Sequence, residues 1–163
     1  MQAIYEWLSF AGQETALFIV SMIPLIELRG AVILGAALNM PWYKVFIISV
    51  LGNLLPIPFI ILFIKRILYM LKRFPLFSGF IHWYESRLIK HSLKFEKVSF
   101  WALAIFVGIP LPGTGAWTGG GVAALLNMRL REAFPAIAIG VLIAGVIMTA
   151  AAYGVAGMLQ VFL

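Results

Sequence analysis

Glu27 and Arg29 are the only charged side chains in residues 15–43, which read TALFIVSMI, then PLIELRG, then AVILGAALNM and PWY. This pattern limits what the segment can become. Residues 15–23 and 31–38 are apolar limbs of eight or nine residues. At about 1.5 Å of rise per residue, each reaches roughly half of a 30 Å hydrocarbon core. Pro24 and Gly30 bracket the charges. Two half-length limbs around a polar break read as a re-entrant helical hairpin; a single kinked spanning helix is the alternative. Ionisable groups at membrane depth are costly and mark substrate or ion pathways.

Composition supports the membrane setting. Of 163 residues, 63% are hydrophobic and 11% are charged, against about 25% charged in ordinary soluble domains. The length suits one domain, residues 1–163. All six acidic residues are glutamates, so aspartyl chemistry is excluded, and with no cysteine there are no disulfides or thiolate sites. His82 and His91 lie in a basic aromatic segment without metal-ligand spacing and read as solvated or interfacial. No cofactor or metal site is expected. No nucleotide-binding, zinc or nucleophile-elbow motif occurs, so an enzyme is not expected. The N-terminus lacks the basic start of a cleavable secretory signal, and residues 1–14, with Tyr5 and Trp7, suit a short interfacial helix.

A second broken segment occurs at residues 110–121, PLPGTGAWTGGG, after an apolar limb at 100–109 and before a return limb at 122–126. Residues 42–64 and 134–163 read as full spans. The first contains Asn53, Pro56 and Pro58, which bend it or line a cavity; the second carries Gly140, Gly145, Gly154 and Gly157, which suit close helix packing. Eight of the twelve basic residues fall between Lys65 and Lys97. Arg87, Lys90, Lys94 and Lys97 recur at helical spacing with Trp83, Tyr84, Ile89, Leu93 and Phe95 among them. This connector, residues 65–98, reads as an amphipathic helix in the headgroup region or as a solvated charged face. Basic residues flanking apolar spans argue against nucleic acid as a partner.

The two halves align. IPL at 23–25 matches IPL at 109–111, GAALNM at 35–40 resembles VAALLNM at 122–128, Phe46 matches Phe134, and Gly52 matches Gly140. The expected fold is therefore an all-α integral membrane domain of two repeats, 15–64 and 99–163. Each is a re-entrant hairpin plus one full transmembrane helix. Each repeat crosses once, so the second copy is inverted, a transporter pattern. With the connector in the cytoplasm, ten basic residues lie inside and Lys44 alone lies outside with both termini, as the positive-inside rule asks.

The breaks supply the candidate site. Helix N-termini near Gly30 and near Trp117 offer unpaired N–H groups to an anion, Arg29 offers a two-pronged cation, and Thr114 and Thr118 offer hydroxyls. Glu27 is either the neutralising partner of Arg29 or a proton-coupling group. A purely structural role, as a Glu27–Arg29 pair or as pairs with backbone carbonyls, fits too; a local pair requires a non-helical turn. Trp117 suits a gate, a cavity wall or ordinary packing. Asn53 completes the candidate set of Glu27, Arg29, Gly30, Asn53, Gly113, Thr114, Gly115, Trp117 and Thr118.

IPLIELRGA and PLPGTGAWTG, in this order around a basic middle, resemble the bacterial and archaeal small multi-drug export family, and the likeness covers nearly the whole chain. More distantly the layout is similar to DedA/VTT-type membrane proteins. That resemblance implies two re-entrant hairpins with buried acidic and arginine residues, and movement of lipids such as a polyprenyl-phosphate carrier. Those relatives place an acid and an arginine in each half; here Gly113 and Gly115 stand opposite Glu27 and Arg29. The resemblance implies the cytoplasmic membrane of a prokaryote. Three functions are expected in order. The first is a proton-coupled transporter or flippase for an anionic amphiphile, its phosphate near Arg29, Gly30, Thr114 and Gly115. The second is a small-molecule exporter with Glu27 as counter-ion to a cation. The third is a membrane scaffold. One copy is small for enclosing a pathway, so a homodimer or larger assembly is expected.

Overall fold

The structure, a computed structural model, describes residues 12–71, 92–111 and 113–162. The described residues form seven helices and no strand: α1 Gln13–Met22, α2 Glu27–Ala37, α3 Trp42–Leu54, α4 Ile57–Leu71, α5 Ser92–Gly108, α6 Ala116–Leu125 and α7 Leu130–Phe162. The N-terminal interfacial segment, both histidines, Arg87 and Lys90 lie outside them.

The chain's punctuation explains the boundaries. α1 stops because Ile23 precedes a proline and takes an extended conformation (φ −72°, ψ 129°). α2 begins at Glu27 rather than after Gly30, so Glu27, Arg29 and Gly30 occupy its first turn and the break shortens to residues 23–26. The expected single span over 42–64 is two helices. Pro56 has no N–H and its ring crowds the preceding turn, which interrupts the helix at residues 55–56. Leu55 keeps helical angles (φ −57°, ψ −44°), so α4 carries on from α3 to Leu71, past the expected end. Pro58 sits in the first turn of α4, where a missing N–H costs nothing. The limb expected at 100–109 is the end of a longer helix: α5 has 17 residues and starts at Ser92, inside the stretch read as connector.

α2 and α6 end alike. Asn39 (φ 55°) and Asn127 (φ 53°) take the left-handed conformation. The Met40 N–H donates to Gly35 O at 3.0 Å and the Asn39 N–H to Ala36 O at 3.0 Å; the Met128 N–H donates to Ala123 O at 3.0 Å and the Asn127 N–H to Ala124 O at 3.1 Å. Both are Schellman stops, in which asparagine tolerates the angle that most residues avoid. Met40 and Met128 then turn inward and are buried.

Packing also repeats. α1 lies on α3, and α5 lies on α7. A Cβ on Gly52 would overlap Ser21 Oγ and lie 2.6 Å from Phe18 O, while one on Gly140 would lie 2.6 Å from both Ala104 O and Val107 Cβ. Ala104 and Val107 are the residues that IPL matching sets opposite Phe18 and Ser21. α2 packs on its own α3 and on α7; α6 packs on its own α7 and on α4. Lys65 Nζ donates to Met128 O, and Tyr153 OH donates to Met40 O at 2.7 Å. Each contact joins the far part of one long helix to the start of the other, so α3–α4 and α7 run antiparallel.

Two stretches are long and apolar enough to cross a membrane: Trp42–Met70, 29 residues, and Leu130–Gly154, 25 residues, whose most apolar 18 residues have mean hydropathy 2.5 and 2.3. Only 39% and 44% of their most apolar windows is buried. Ile47, Leu51, Phe59, Phe63, Ile143, Val146 and Ile147 face outward. A water-soluble protein rarely exposes so much contiguous apolar surface.

Candidate functional site

The two breaks meet at the centre of the molecule. Glu27 opens α2 with φ 51°, just after Leu25 at φ 74°, and its side chain is 7% exposed. Among the described residues it is the one charged side chain that is buried. Its Oε1 accepts the backbone N–H of Trp117 at 3.1 Å. That N–H belongs to the first turn of α6, where helix N–H groups have no partner within the helix. Glu27 therefore caps a helix from the other half of the chain, where the positive end of the helix dipole favours a carboxylate. The close approach depends on Gly115: its backbone is extended (φ −85°, ψ −173°), but a Cβ there would overlap the carboxylate of Glu27.

Arg29 serves the opposite kind of terminus. Its Nη1 donates to Leu111 O, and its Nη2 donates to Ile109 O at 3.3 Å and to Thr114 Oγ1 at 3.0 Å. These carbonyls follow the C-terminal end of α5, where C=O groups are unpaired and a cation is favoured. Thr114 Oγ1 lies 2.7 Å from Ile109 O and 2.8 Å from Leu111 O, so its one proton satisfies one of them. The ion pairs among the described residues are Lys44–Glu14 and Arg129–Glu132. Glu27 and Arg29 thus do not pair with each other; both engage backbone ends of the other half. The expected non-helical turn between them is replaced by the first turn of α2, which turns the two side chains to different partners.

Trp117 completes the arrangement. Its indole Nε1–H donates to Met22 O, the last residue of α1, at 3.1 Å. Counting back from the two Asn–Met stops sets Trp117 opposite Arg29 and Gly115 opposite Glu27, a shift of two residues from the register set by IPL. In that register Arg29 and Trp117 perform one task in both directions: each holds the carbonyl end of the other half's first helix. Gly30 adds only a contact to its own turn, since a Cβ there meets Ile26 alone. Gly113 (φ 85°) is exposed with open space around it, and Thr118 Oγ1 donates to Gly115 O at 3.0 Å from an exposed position. These three candidates do not converge on the centre.

Asn53 does. It is 2% exposed, and its Oδ1 is buried without a hydrogen-bond partner. Asn53, Glu27 and Arg29 line one small pocket of about 10 Å³, with Val107, Gly115, Val141 and Ala144 around it. That is about the space of one water. Residues 27–147 match the family model described as "Putative small multi-drug export protein". The chain belongs to this family. The matched stretch begins at Glu27 and takes in every candidate residue, the second break, the first span and most of the second. No curated protein and no solved structure matches the chain. Family and outward apolar surface together make this a membrane protein. Sequence reasoning missed the backbone partners, Met22 O, Ile109 O and Leu111 O, because a carbonyl carries no letter of its own; the end of each apolar limb was the available signal.

Proposed function

We propose that this small multi-drug export family member is a small-molecule exporter in which Glu27 is the group that meets a cation or a proton. One observation carries the reading: the buried side chains at the centre include acceptors with free valence. Arg29 is engaged by Ile109, Leu111 and Thr114, and the α6 N-terminus is engaged by Glu27 Oε1. A carboxylate has about four lone-pair sites and Glu27 uses one of them, while Asn53 Oδ1 uses none. Acceptors in a small buried space receive a donor or a positive charge. Neutralising Glu27 weakens its hold on α6, which loosens one half against the other.

The remaining architecture is part of the same proposal. The reciprocal ties Lys65–Met128 and Tyr153–Met40, the Arg29 and Trp117 contacts, and the matched glycine packing support two-fold related halves, as in an isologous interface. Antiparallel long helices set that axis in the membrane plane. α1 with α2 is then one re-entrant hairpin, and α6 with the end of α5 is the other, entering from opposite faces. The connector is cytoplasmic, both termini are outside, and a homodimer completes the pathway in a prokaryotic cytoplasmic membrane. Flipping of an anionic amphiphile is the second reading. It is favoured by the α6 N-terminus, which already holds an anion in the form of Glu27 and could exchange it for a phosphate.

Reconstituted vesicles separate the two. For the exporter, Glu27→Gln should reduce proton-driven uptake of an aromatic amine by about 5- to 150-fold, the range of a typical coupling energy, with Arg29→Ala milder once corrected for folded protein. The reverse order, with polyprenyl phosphate as the moved species, would establish the flippase instead.

A further inference from the structure

We infer that the cleft between the start of α3 and the last turns of α7 is a binding site for the uncharged aromatic part of a small molecule, carrying one hydrogen-bonding group. This rests on the exporter reading and names the body of the substrate it requires. The cleft holds about 370 Å³, within the usual range of small-molecule sites, about 300–1,000 Å³. Trp42 and Phe46 line it from α3; Val146, Thr149, Tyr153 and Gly154 line it from α7. None is ionisable near neutral pH. Aromatic walls on both sides suit a planar ring, which stacks or meets them edge-on.

Thr149 provides the second, independent observation. It is 7% exposed, and its Oγ1 is buried with no hydrogen-bond partner. A helical threonine ordinarily turns its hydroxyl back to a carbonyl one turn earlier. Here Thr149 is among the residues that line the cleft, and its hydroxyl, turned out of reach of solvent, has both its donor and its acceptor capacity free. A buried polar group without a partner is destabilising, and a ligand carbonyl or amine that meets the hydroxyl as the side chain turns toward the cleft removes that cost. Of the other polar side chains, Tyr153 OH already donates to Met40 O, and Trp42 brings an indole N–H.

The cleft also adjoins the charged centre. A Cβ on Gly145 would lie 2.9 Å from Phe46 Cε2 and 3.3 Å from Leu28 Cδ1. Phe46 lines the cleft, and Leu28 and Ala144 line the void that Glu27 and Asn53 share. One layer of side chains over Gly145 thus separates the two spaces. Tyr153 both walls the cleft and ties α7 to Met40, so an occupant sits against a contact between the halves.

Benzophenone is a suitable probe: it is uncharged, has two rings and one carbonyl acceptor, and inserts into nearby C–H bonds under near-ultraviolet light. The full chain in lipid nanodiscs would be irradiated with it and the adducts mapped by mass spectrometry. Labelling should concentrate on the cleft segment of α7 around Val146 and Ala150. Thr149→Val should lower it several-fold, up to about tenfold for one lost hydrogen bond, and Thr149→Ser should retain it. Gly154→Leu should abolish it, because a side chain there meets open space and fills the cleft rather than distorting the fold. Labelling spread evenly over Ile47, Leu51, Phe59 and Phe63 and indifferent to Thr149 would overturn the site. Equal labelling of Gly154→Leu would overturn it too. The assay needs no gradient and no transport. Failure of the exporter reading would appear in Glu27→Gln uptake, and failure of the cleft in the adduct map.

Discussion

Gly115→Ala should detach the two halves at their centre. The backbone angles of Gly115 are open to alanine (φ −85°, ψ −173°), so the effect is not conformational. The new methyl would fall on the Glu27 carboxylate. That carboxylate must then leave the Trp117 N–H, a charge-assisted bond whose loss costs about 1.5–3 kcal/mol. It must also find another place for a buried charge, which has no cheap solution. Thermal unfolding of purified protein in detergent should show a large loss for Gly115→Ala and a smaller further loss when Glu27→Ala is added. The two residues should couple by about 0.5–3 kcal/mol in a double-mutant cycle. Additive losses would mean that the carboxylate does not lie over Gly115.

Gly140→Ala should separate α5 from α7. The added Cβ would lie 2.6 Å from the backbone oxygen of Ala104 and 2.6 Å from Val107 Cβ. A backbone oxygen cannot rotate aside, so the helices must part. Overpacking of this kind costs about 1–3 kcal/mol. Gly52→Ala meets Phe18 O at 2.6 Å in the other half and should cost a similar amount. Gly154→Ala is the control: nothing lies within 4 Å of its Cβ, and alanine gains up to about 1 kcal/mol of helix propensity. Its unfolding temperature should hold or rise while those of the other two fall. A neutral Gly140→Ala would show that α5 and α7 do not touch there.

Much of the helical order was legible because it rests on local chemistry. Pro24 forced Ile23 to be extended, Pro56 interrupted the first span, and Asn39 and Asn127 stopped two helices with the same left-handed turn. What was misread is equally specific. Gly30 looked like the edge of the break, yet α2 begins at Glu27, since an exposed left-handed Leu25 already turns the chain. Pro110 suggested where the second break begins, but nothing local set where α5 starts, because apolar and basic residues both continue a helix.

The register of the repeat was half legible. IPL aligned the first helices and Asn–Met aligned the second ones, two residues out of step; the packing of α2 and α6 shows that the second register governs the site. Lys65 and Tyr153 do not resemble each other, and neither do Arg29 and Trp117. Each pair shares only an N–H or O–H donor at equivalent places, and such a likeness is invisible until the carbonyls they reach are known.

By itself the sequence determined that this chain has half-length apolar limbs, two opposite charges inside an apolar stretch and a repeated order of breaks and spans. Those follow from composition and local backbone preference. Only the tertiary structure decided that Glu27 answers the N-terminus of a helix ninety residues away and that Arg29 answers carbonyl ends rather than Glu27. Helix termini are charged by geometry and not by side-chain type, so their partners are fixed only when the two halves meet.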